Sequence, residues 1–355
     1  MTRPRRLVAA AAALTAAMLL SACGGGTSAT AADGAASLDG QRLVWVNYGG
    51  VGLEAAQKGW LDPFSEKTGV QFATDSPSDL AKVKAMVEAG NTSWDVIDID
   101  VSQAGANCGT LFEKRPADLD ISTIDPKYVT DDCGVPIITQ AVTLVYNKKL
   151  FGANPPTRIT DYMDQARFPG KRMLFNNATG SAEPLLMAAG VPAEQVYPLD
   201  WKRLEGAVRE LGPNLVAQPT LAQMGASLES GDFAMCLCYT GRTALAQKNG
   251  ADVGIVWDST WVGWDGAYAI KGSKAPQAQT AFLQYLATPE SDGFYRYLPY
   301  GSTITGAQPD VPADFQAAMP EFNRDAIKHE SVMDVTYWRD DVDAKFAEWA
   351  RILSG

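Results

Sequence analysis

From residue 42 onwards, short apolar segments alternate with longer amphipathic ones, and this alternation limits the folds open to the chain. The segments RLVWVNYG at 42–49 and VQFATDS at 70–76 have the composition of strands. Helical spacing marks the segments 52–69 and 78–90, each of which ends at a glycine, and Ser78 is the expected N-cap of the second helix. Strands that alternate with helices form parallel sheets covered on both faces. The sequence therefore predicts an α/β fold.

Polar and aromatic residues near the strand ends predict where a ligand binds. In α/β folds, ligands collect at the carboxyl ends of strands. WDVIDIDV at 94–101 is a third strand, so we expect one crevice to be bordered by residues that lie near strand ends: Tyr48, Thr74, Asp75, Asp98 and Asp100. Asp98 and Asp100 share one face of their strand and repel each other, so we expect one of them to point to solvent.

The second half of the chain repeats this pattern on a similar scale. QAVTLVYNKKLFG at 140–152 predicts a strand and a short helix, and FAMCLCYTGR at 233–242 and DVGIVWDS at 252–259 predict further strands. The two segments are similar in size and cover 42–141 and 142–266. They predict two α/β lobes with a crevice between them.

The first 41 residues have the composition of an export signal followed by a tether. Basic residues precede the apolar run LVAAAAALTAAMLL, which is too short to span a bilayer comfortably, so we expect residues 1–22 to be a cleaved signal peptide. LSAC resembles the lipobox of bacterial lipoproteins, which implies a lipid anchor on Cys23; the alternative is an ordinary signal with an incidental cysteine. Residues 23–41 predict a flexible tether. We expect an extracytoplasmic protein, anchored to the cell membrane in the periplasm or on its outer face.

The remaining cysteines fall into two pairs. Outside the cytoplasm disulfides persist, and Cys108 and Cys133 lie in loop-like sequence, so we expect them to form a bridge. Cys236 and Cys238 alternate with apolar residues in a strand, where we expect buried free thiols.

The charge balance narrows the class of partner. Without the signal peptide the chain has 27 basic and 41 acidic residues, a net charge of −14. This excess of negative charge disfavours nucleic acid and anionic lipid as partners and favours a cationic one.

An aromatic stretch at 256–270, VWDSTWVGWDGAYAI, allows two interpretations. It is either part of a box for an organic ammonium group, since indole faces and carboxylates both attract cations, or a buried strand that enters a turn. The residues concerned are Trp257, Asp258, Trp261, Trp264 and Asp265.

No motif predicts catalysis. The only histidine, His329, lies in a polar helix-like stretch, and the chain has neither a Walker loop nor a dinucleotide fingerprint. We therefore predict no catalytic residue, no metal ligand and no cofactor. A lipid-anchored glycoside hydrolase with two carboxylates is the remote alternative.

Several phrases, spread over nearly the whole mature chain, resemble one protein family. They are FSEKTGV, SWDVIDID, LVYNKKLFG, RFPGKRML, LESGDFAMCLCYTGR, WDGAYAIKGSKAP and YWRDDVDAKFAEW. The chain resembles the extracellular solute-binding proteins of ABC importers, and among them the spermidine/putrescine-binding branch. The resemblance implies a type II periplasmic-binding-protein fold with a hinge and an interlobe ligand cleft. It also implies that lobe 1 comprises 42–141 and 267–303, and that lobe 2 comprises 142–266 and 304–355.

The resemblance also implies a set of ligand-binding residues. In that branch, aromatic walls enclose a methylene chain and carboxylates hold the ammonium ends. Trp264 corresponds to the wall tryptophan, but the family acid two residues later is replaced by Gly266, and Asp265 stands beside the tryptophan instead. The expected site comprises Tyr48, Asp100, Glu183, Tyr239, Trp264, Asp265 and Tyr300.

The nature of the ligand stays open at this point. A polyamine such as putrescine or spermidine needs acids at both ends, whereas an aminobutyrate-like zwitterion needs an acid at one end and a donor such as Arg242 at the other. A salt bridge on the surface is the expected role of Arg242. We expect the protein to be a monomer. Its implied partners are the small amine and an ABC permease in the cytoplasmic membrane. A membrane sensor is the alternative to the permease.

Overall fold

A ten-stranded sheet runs through residues 37–355, the part of the chain that the computed structural model describes. The strands are β1 (Arg42–Val46), β2 (Gln71–Asp75), β3 (Val96–Asp100), β4 (Val135–Asn147), β5 (Arg172–Phe175), β6 (Leu215–Gln218), β7 (Met235–Tyr239), β8 (Val253–Ala269), β9 (Gly301–Ser302) and β10 (His329–Val332). Their order is β2-β1-β3-β8-β4-β7-β5-β6, with β10 beside β8 and β9 beside β4. The predicted signal peptide, Cys23 and most of the predicted tether lie outside the described residues.

Helices connect most of the strands, as the alternating pattern predicts. They are α1 (Val51–Ala56), α2 (Asp62–Thr68), α3 (Leu80–Glu88), α4 (Val101–Gly105), α5 (Lys148–Phe151), α6 (Ala182–Ala188), α7 (Trp201–Leu211), α8 (Leu221–Ser230), α9 (Thr240–Lys248), α10 (Pro276–Leu286), α11 (Ala313–Gln316), α12 (Val335–Arg339) and α13 (Val342–Ser354). A π-helical segment, Gln57–Leu61, joins α1 to α2. Within residues 37–355, no helix is both long enough and apolar enough to cross a membrane.

Two parallel groups of strands flank an antiparallel centre. β2, β1 and β3 are parallel on one side, and β7, β5 and β6 are parallel on the other. The two longest strands, β4 and β8, run antiparallel between these groups, and β8 also pairs with β3 while β4 pairs with β7. The architecture is thus mixed α/β, with the strand and helix alternation accounting for the two parallel groups.

The aromatic stretch at 256–270 is a mostly buried strand, as the second interpretation expects, and the turn follows at Lys271. It belongs to β8, which continues for 17 residues. Partner strands on both sides supply its hydrogen bonds, so nothing ends the strand at its glycines. Gly263 and Gly266 leave room for the rings of Trp261 and Tyr268, which lie where a Cβ atom would stand.

The N-cap of α3 is Asp79 and not Ser78. The Asp79 side chain accepts a hydrogen bond from the backbone N–H of Lys82, at 3.0 Å. The hydroxyl of Ser78 donates instead to the backbone carbonyl of Asp98, at 2.6 Å, so it links α3 to β3. Both residue types cap helices well, and a partner distant in sequence decides between them.

An aromatic cluster fills the core beside β1. Trp45 meets Trp60 and Phe282 edge-on, with ring centroids 5.8 and 5.6 Å apart, and Trp60 stacks on Phe294 at 4.1 Å. Burial of apolar surface is the dominant favourable term in folding, and large rings each contribute a large area to it.

The predicted lobe boundaries remain a prediction. Residues 38–355 form one compact unit by their contacts. Of the segment 304–355, Phe315 and Met319 share a hydrophobic cluster with Trp45, whereas Trp338 lies in a second cluster with β7 residues such as Met235.

The structure places both cysteine pairs at disulfide distance. The Sγ atoms of Cys108 and Cys133 meet across a separation of 25 residues, as the sequence predicts. The expectation of free thiols at Cys236 and Cys238 is wrong for this structure, because their Sγ atoms also meet. Both side chains lie on one face of β7, and this common orientation lets them approach each other.

Replacing both Cys108 and Cys133 with alanine should lower the free energy of unfolding by about 3.5 kcal/mol, because a cross-link over 25 residues restricts the unfolded chain. Chemical denaturation in oxidising buffer measures this loss. The matched control replaces Cys236 and Cys238 with alanine, which opens a far shorter loop and should cost less. Equal losses in the two variants would contradict the loop argument.

Candidate ligand-binding site

Three carboxyl groups meet on one face of the sheet centre. Asp98 and Asp100 lie two residues apart on β3, so their side chains share a face. Asp265 of β8 stands directly opposite Asp100 in the antiparallel register, which puts it on that same face. All three are at most 5% exposed, and we call them the acid cluster. Contrary to the expectation from sequence, neither Asp98 nor Asp100 points to solvent.

Each member of the acid cluster has a different set of hydrogen bonds. One oxygen of Asp100 accepts from the backbone N–H of Ser102 at 2.8 Å and also from the Ser102 hydroxyl. Asp265 accepts from the side-chain amide of Gln140 at 3.1 Å. Asp98 is the least satisfied, because its Oδ1 atom has no hydrogen-bond partner among the described residues.

Burial and mutual repulsion raise the pKa values of the cluster. Burial raises the pKa of Asp98 to about 7, against the opposing influence of Arg242. Burial also raises the pKa of Asp265 well above its usual range, and the nearby Asp98 and Asp100 raise it further. The pKa of Asp100 is raised by burial, an effect that its hydrogen bonds from Ser102 reduce.

A buried arginine approaches the cluster from the other group of strands. Arg242 lies in the first turn of α9, directly after β7, and is 4% exposed. Its Nε and Nη1 atoms have no hydrogen-bond partner within residues 37–355, and none of its nitrogens is at ion-pair distance from a described carboxylate. Gly50 and Gly52 face the guanidinium, and a Cβ atom at Gly52 would stand 2.9 Å from Nη2. The expected surface salt bridge is therefore wrong, since α9 begins inside the protein.

Three tyrosines of the expected site, Tyr48, Tyr239 and Tyr300, lie near the acid cluster. The Tyr48 hydroxyl accepts a hydrogen bond from the backbone N–H of Asp100 at 3.2 Å. Burial raises the pKa values of Tyr48, Tyr239 and Tyr300, and the charge of Asp265 raises all three further. The Tyr300 hydroxyl has no hydrogen-bond partner in the described part of the chain, and Arg242 lowers its pKa. The three phenol groups thus lie within electrostatic range of Asp265.

Glu183 occupies a separate position, where protein groups already satisfy it. Its carboxylate accepts from the hydroxyl of Tyr197 and from the indole N–H of Trp338, both at 2.7 Å, and from the backbone N–H of Gly180 at 2.9 Å. It is fully buried, and burial raises its pKa to about 7. The charge of Glu183 still affects Tyr239, so the two lie near each other.

The tryptophans of β8 divide between its two faces. Trp264 lies on the opposite face from Asp265; its indole N–H donates to the carbonyl of Tyr128 at 3.1 Å, and its ring meets that of Tyr128. Trp261 lies on the same face as Asp265. Its ring covers Gly180, beside the hydroxyl of Tyr239.

Not all of the residues expected around a crevice at the strand ends come together. Tyr48, Asp98 and Asp100 do, but Asp75 lies apart from them. Asp75 accepts from Lys82 at 3.0 Å and from the indole of Trp94 at 2.8 Å. The reason is topological, because β2 is the edge strand and β1 separates it from β3.

Asp98, Arg242 and Trp261 lie within this arrangement although the expected site omits them. Their sequence signals are modest: Asp98 alternates with isoleucines in a buried strand, and Arg242 follows the end of a strand. Only the packing of distant segments brings them together. The arrangement as a whole offers buried groups of both charges beside aromatic rings, which suits a small charged molecule.

Comparison with known proteins identifies a family and a relative that covers most of the chain. The model of the bacterial extracellular solute-binding protein family matches residues 59–322. The γ-aminobutyric acid-binding protein of Pseudomonas aeruginosa is 28% identical over 328 residues, which cover 89% of this chain and 93% of that protein.

Solved structures agree on the fold. AgtB of Agrobacterium tumefaciens R10, in complex with agropinic acid, is 25% identical, with 89% of this chain and 99% of that chain covered and a TM-score of 0.78. The Atu4243 GABA receptor is 24% identical, with 88% and 99% covered and a TM-score of 0.78. The predicted periplasmic-binding-protein fold is thus confirmed. On the match over 59–322, the chain belongs to the bacterial extracellular solute-binding protein family.

Proposed function

We propose that this protein is the substrate-binding component of an ABC importer, and that it captures a short zwitterionic amine of the γ-aminobutyrate type. One observation carries the proposal: an acid cluster and Arg242 are buried near each other, and Arg242 forms no ion pair with any carboxylate of the described residues. Buried charges are costly unless they are paired, so a ligand with one positive and one negative end would stabilise both groups.

The ammonium end of the ligand binds at the acid cluster. One oxygen of Asp98 accepts no hydrogen bond from the described part of the chain, and Asp100 and Asp265 add negative charge. The phenol groups of Tyr48, Tyr239 and Tyr300 lie near Asp265 and are placed to contact the same cation. Charge-assisted hydrogen bonds to a primary ammonium give this end its strength.

The carboxylate end of the ligand binds Arg242. Its Nε and Nη1 atoms have no partner among residues 37–355, and a guanidinium can bind a carboxylate through two parallel hydrogen bonds. The P. aeruginosa relative, whose name states that it binds γ-aminobutyric acid, supports a ligand with this pair of groups.

The aromatic lining differs from the one that the resemblance implies. Trp261 takes the place of Trp264 beside the ligand, because Trp261 shares the face of Asp265. Glu183 supports this lining from behind through the backbone of Gly180 and does not bind the ligand directly.

A polyamine is the second candidate ligand, and the number of acids favours it. Three carboxyl groups stand against one arginine, and a dication would neutralise more of their charge than a zwitterion does. Arg242 argues against it, because a second ammonium end near that guanidinium would be repelled.

The rest of the proposal follows from the family and the leader sequence. The protein acts outside the cytoplasm as a monomer, is held to the membrane by Cys23, and delivers its ligand to a permease without chemical change. A membrane sensor is the alternative partner. The family assignment favours this binding role over the hydrolase alternative. Two lobes close over the ligand about a hinge in the long strands β4 and β8.

A screen of small amines should identify the ligand class. γ-Aminobutyrate at about 100 times its dissociation constant should stabilise the protein by about 2.7 kcal/mol, because it binds only the folded state. Thermal unfolding with γ-aminobutyrate, putrescine, spermidine and a neutral sugar measures this shift. A thermal shift with putrescine or spermidine alone would identify a polyamine as the ligand in place of the zwitterion. A shift with the sugar alone would contradict both ligand classes.

Replacing Arg242 with glutamine should separate the two ligand classes by the sign of its effect. The variant should bind γ-aminobutyrate more weakly by about 2–5 kcal/mol, since a desolvated carboxylate loses its charged partner. Binding of putrescine should stay the same or strengthen, because a repelling charge is gone. Isothermal titration calorimetry measures both affinities.

The matched control for this variant is Arg209→Gln. Arg209 is an exposed residue of α7 that pairs with Glu205, far in sequence from α9. Its replacement should leave both affinities unchanged. If Arg242→Gln binds γ-aminobutyrate as tightly as the unmodified protein, Arg242 does not hold the ligand carboxylate.

A further inference from the structure

The acid cluster contains more negative charge than its surroundings can neutralise. Asp98 is faced by Asp100 on its own strand, by Asp265 on β8 and by Arg242 on α9. Tyrosines face the cluster from three further segments: Tyr48 after β1, Tyr239 at the end of β7 and Tyr300 before β9. Arg242 is the one full positive charge in this set, against three carboxyl groups.

Hydrogen bonding does not remove the imbalance. Gln140 donates to Asp265 and Ser102 donates to Asp100, but Oδ1 of Asp98 accepts from no described residue. Carboxylates on one face of adjoining strands, shielded from water, repel strongly and cannot all be ionised at once. A proton shared among them relieves the repulsion and supplies the missing donor.

We infer that the ammonium group of the ligand enters the acid cluster in exchange for a proton that the three carboxyl groups share when no ligand is bound. This inference rests on the proposed function. The exchange balances simply: one carboxylic acid becomes a carboxylate paired with the ammonium ion, and one proton passes to water. No covalent bond of the ligand changes.

The pKa directions set the sign of the pH dependence. Burial raises the pKa of Asp98 to about 7, whereas an exposed Asp in the unfolded chain titrates near 4. Between these values the folded protein retains a proton that the unfolded chain has lost. Stability without ligand therefore falls as pH rises through this window, and affinity for an ammonium ligand rises.

The first experiment needs no ligand. The unfolding equilibrium constant of the unmodified protein, relative to that of Asp98→Asn, should increase by up to about tenfold per pH unit between pH 4.5 and 7. Asp265→Asn provides a second variant of the cluster in case Asp98→Asn folds poorly. Asp75→Asn is the matched control, because Asp75 lies outside the cluster with its pKa lowered by Lys82, and its curve should follow the unmodified protein.

The second experiment counts protons during binding. γ-Aminobutyrate is added to the mature protein at pH 6 in lightly buffered solution, and a pH-stat measures the base needed to hold the pH. Release of nearly one proton per bound ligand is expected for the unmodified protein and for Asp75→Asn, and a clearly smaller release for Asp98→Asn.

The outcomes separate this inference from the proposed function. Binding without proton release would overturn the exchange and leave the zwitterion proposal intact. If putrescine binds and γ-aminobutyrate does not, the number of protons released per bound putrescine tests the exchange in the same way. If neither binds, the proposed function and the exchange fall together. Parallel stability curves for the unmodified protein and both cluster variants would show that no proton is shared, whatever the ligand.

Discussion

The antiparallel pairing of β4 with β8 is the constraint on which the rest of the molecule depends. These strands pair from Val135 with Ala267 to Asn147 with Val253, and each also bonds to one of the parallel groups. Because β8 also pairs with β3, its carboxyl group, Asp265, meets those of β3. The strand β7, which lies beside β4 in the sheet, leads directly into α9, the helix that contains Arg242. The candidate site therefore exists only where the two parallel groups are joined.

The electrostatics of the site follow from this placement. A position at the sheet centre removes water from the carboxyl groups, and removal of water makes every charge there both costly and strongly interacting. Arg242 reduces the cost only in part, because it stays beyond ion-pair distance from the acids. Glu183 is the opposite case, since its carboxylate accepts hydrogen bonds from three donors of the protein. A group with all its partners inside the protein supports structure, whereas a group without them is available to a ligand.

The sequence predicts well those features that depend on neighbouring residues. Strands such as β3 and helices such as α3 follow from their own periodicity, and the α/β class follows from their alternation. For several features that depend on distant partners, the predictions were wrong or missing. Asp79 caps α3 because Ser78 bonds to β3, and β8 continues because strands on both sides bond to it.

The composition of the site was predictable only in part, for the same reason. Tyr48, Asp100 and Asp265 follow from strand ends and from the family resemblance. Trp264 and Trp261 could not be assigned to a face without the register of β8. The buried position of Arg242 depends on Gly50 and Gly52, which lie nearly two hundred residues earlier in the chain.

The pairing of β3 with β8 also determines when the site can form during folding. Asp100 and Asp265 are far apart in sequence, and contacts of this kind form late because closing a long loop costs chain entropy. The parallel group of β1, β2 and β3 can begin to assemble from its own local connections, but its acids have no counterpart until β8 is in place. A chain that ends before β8 would thus present β3 as an unpaired edge with adjacent carboxylates, whose charge opposes edge-to-edge association with other chains. The residues that we propose to hold the ligand in the folded protein would then also keep the unfinished chain soluble.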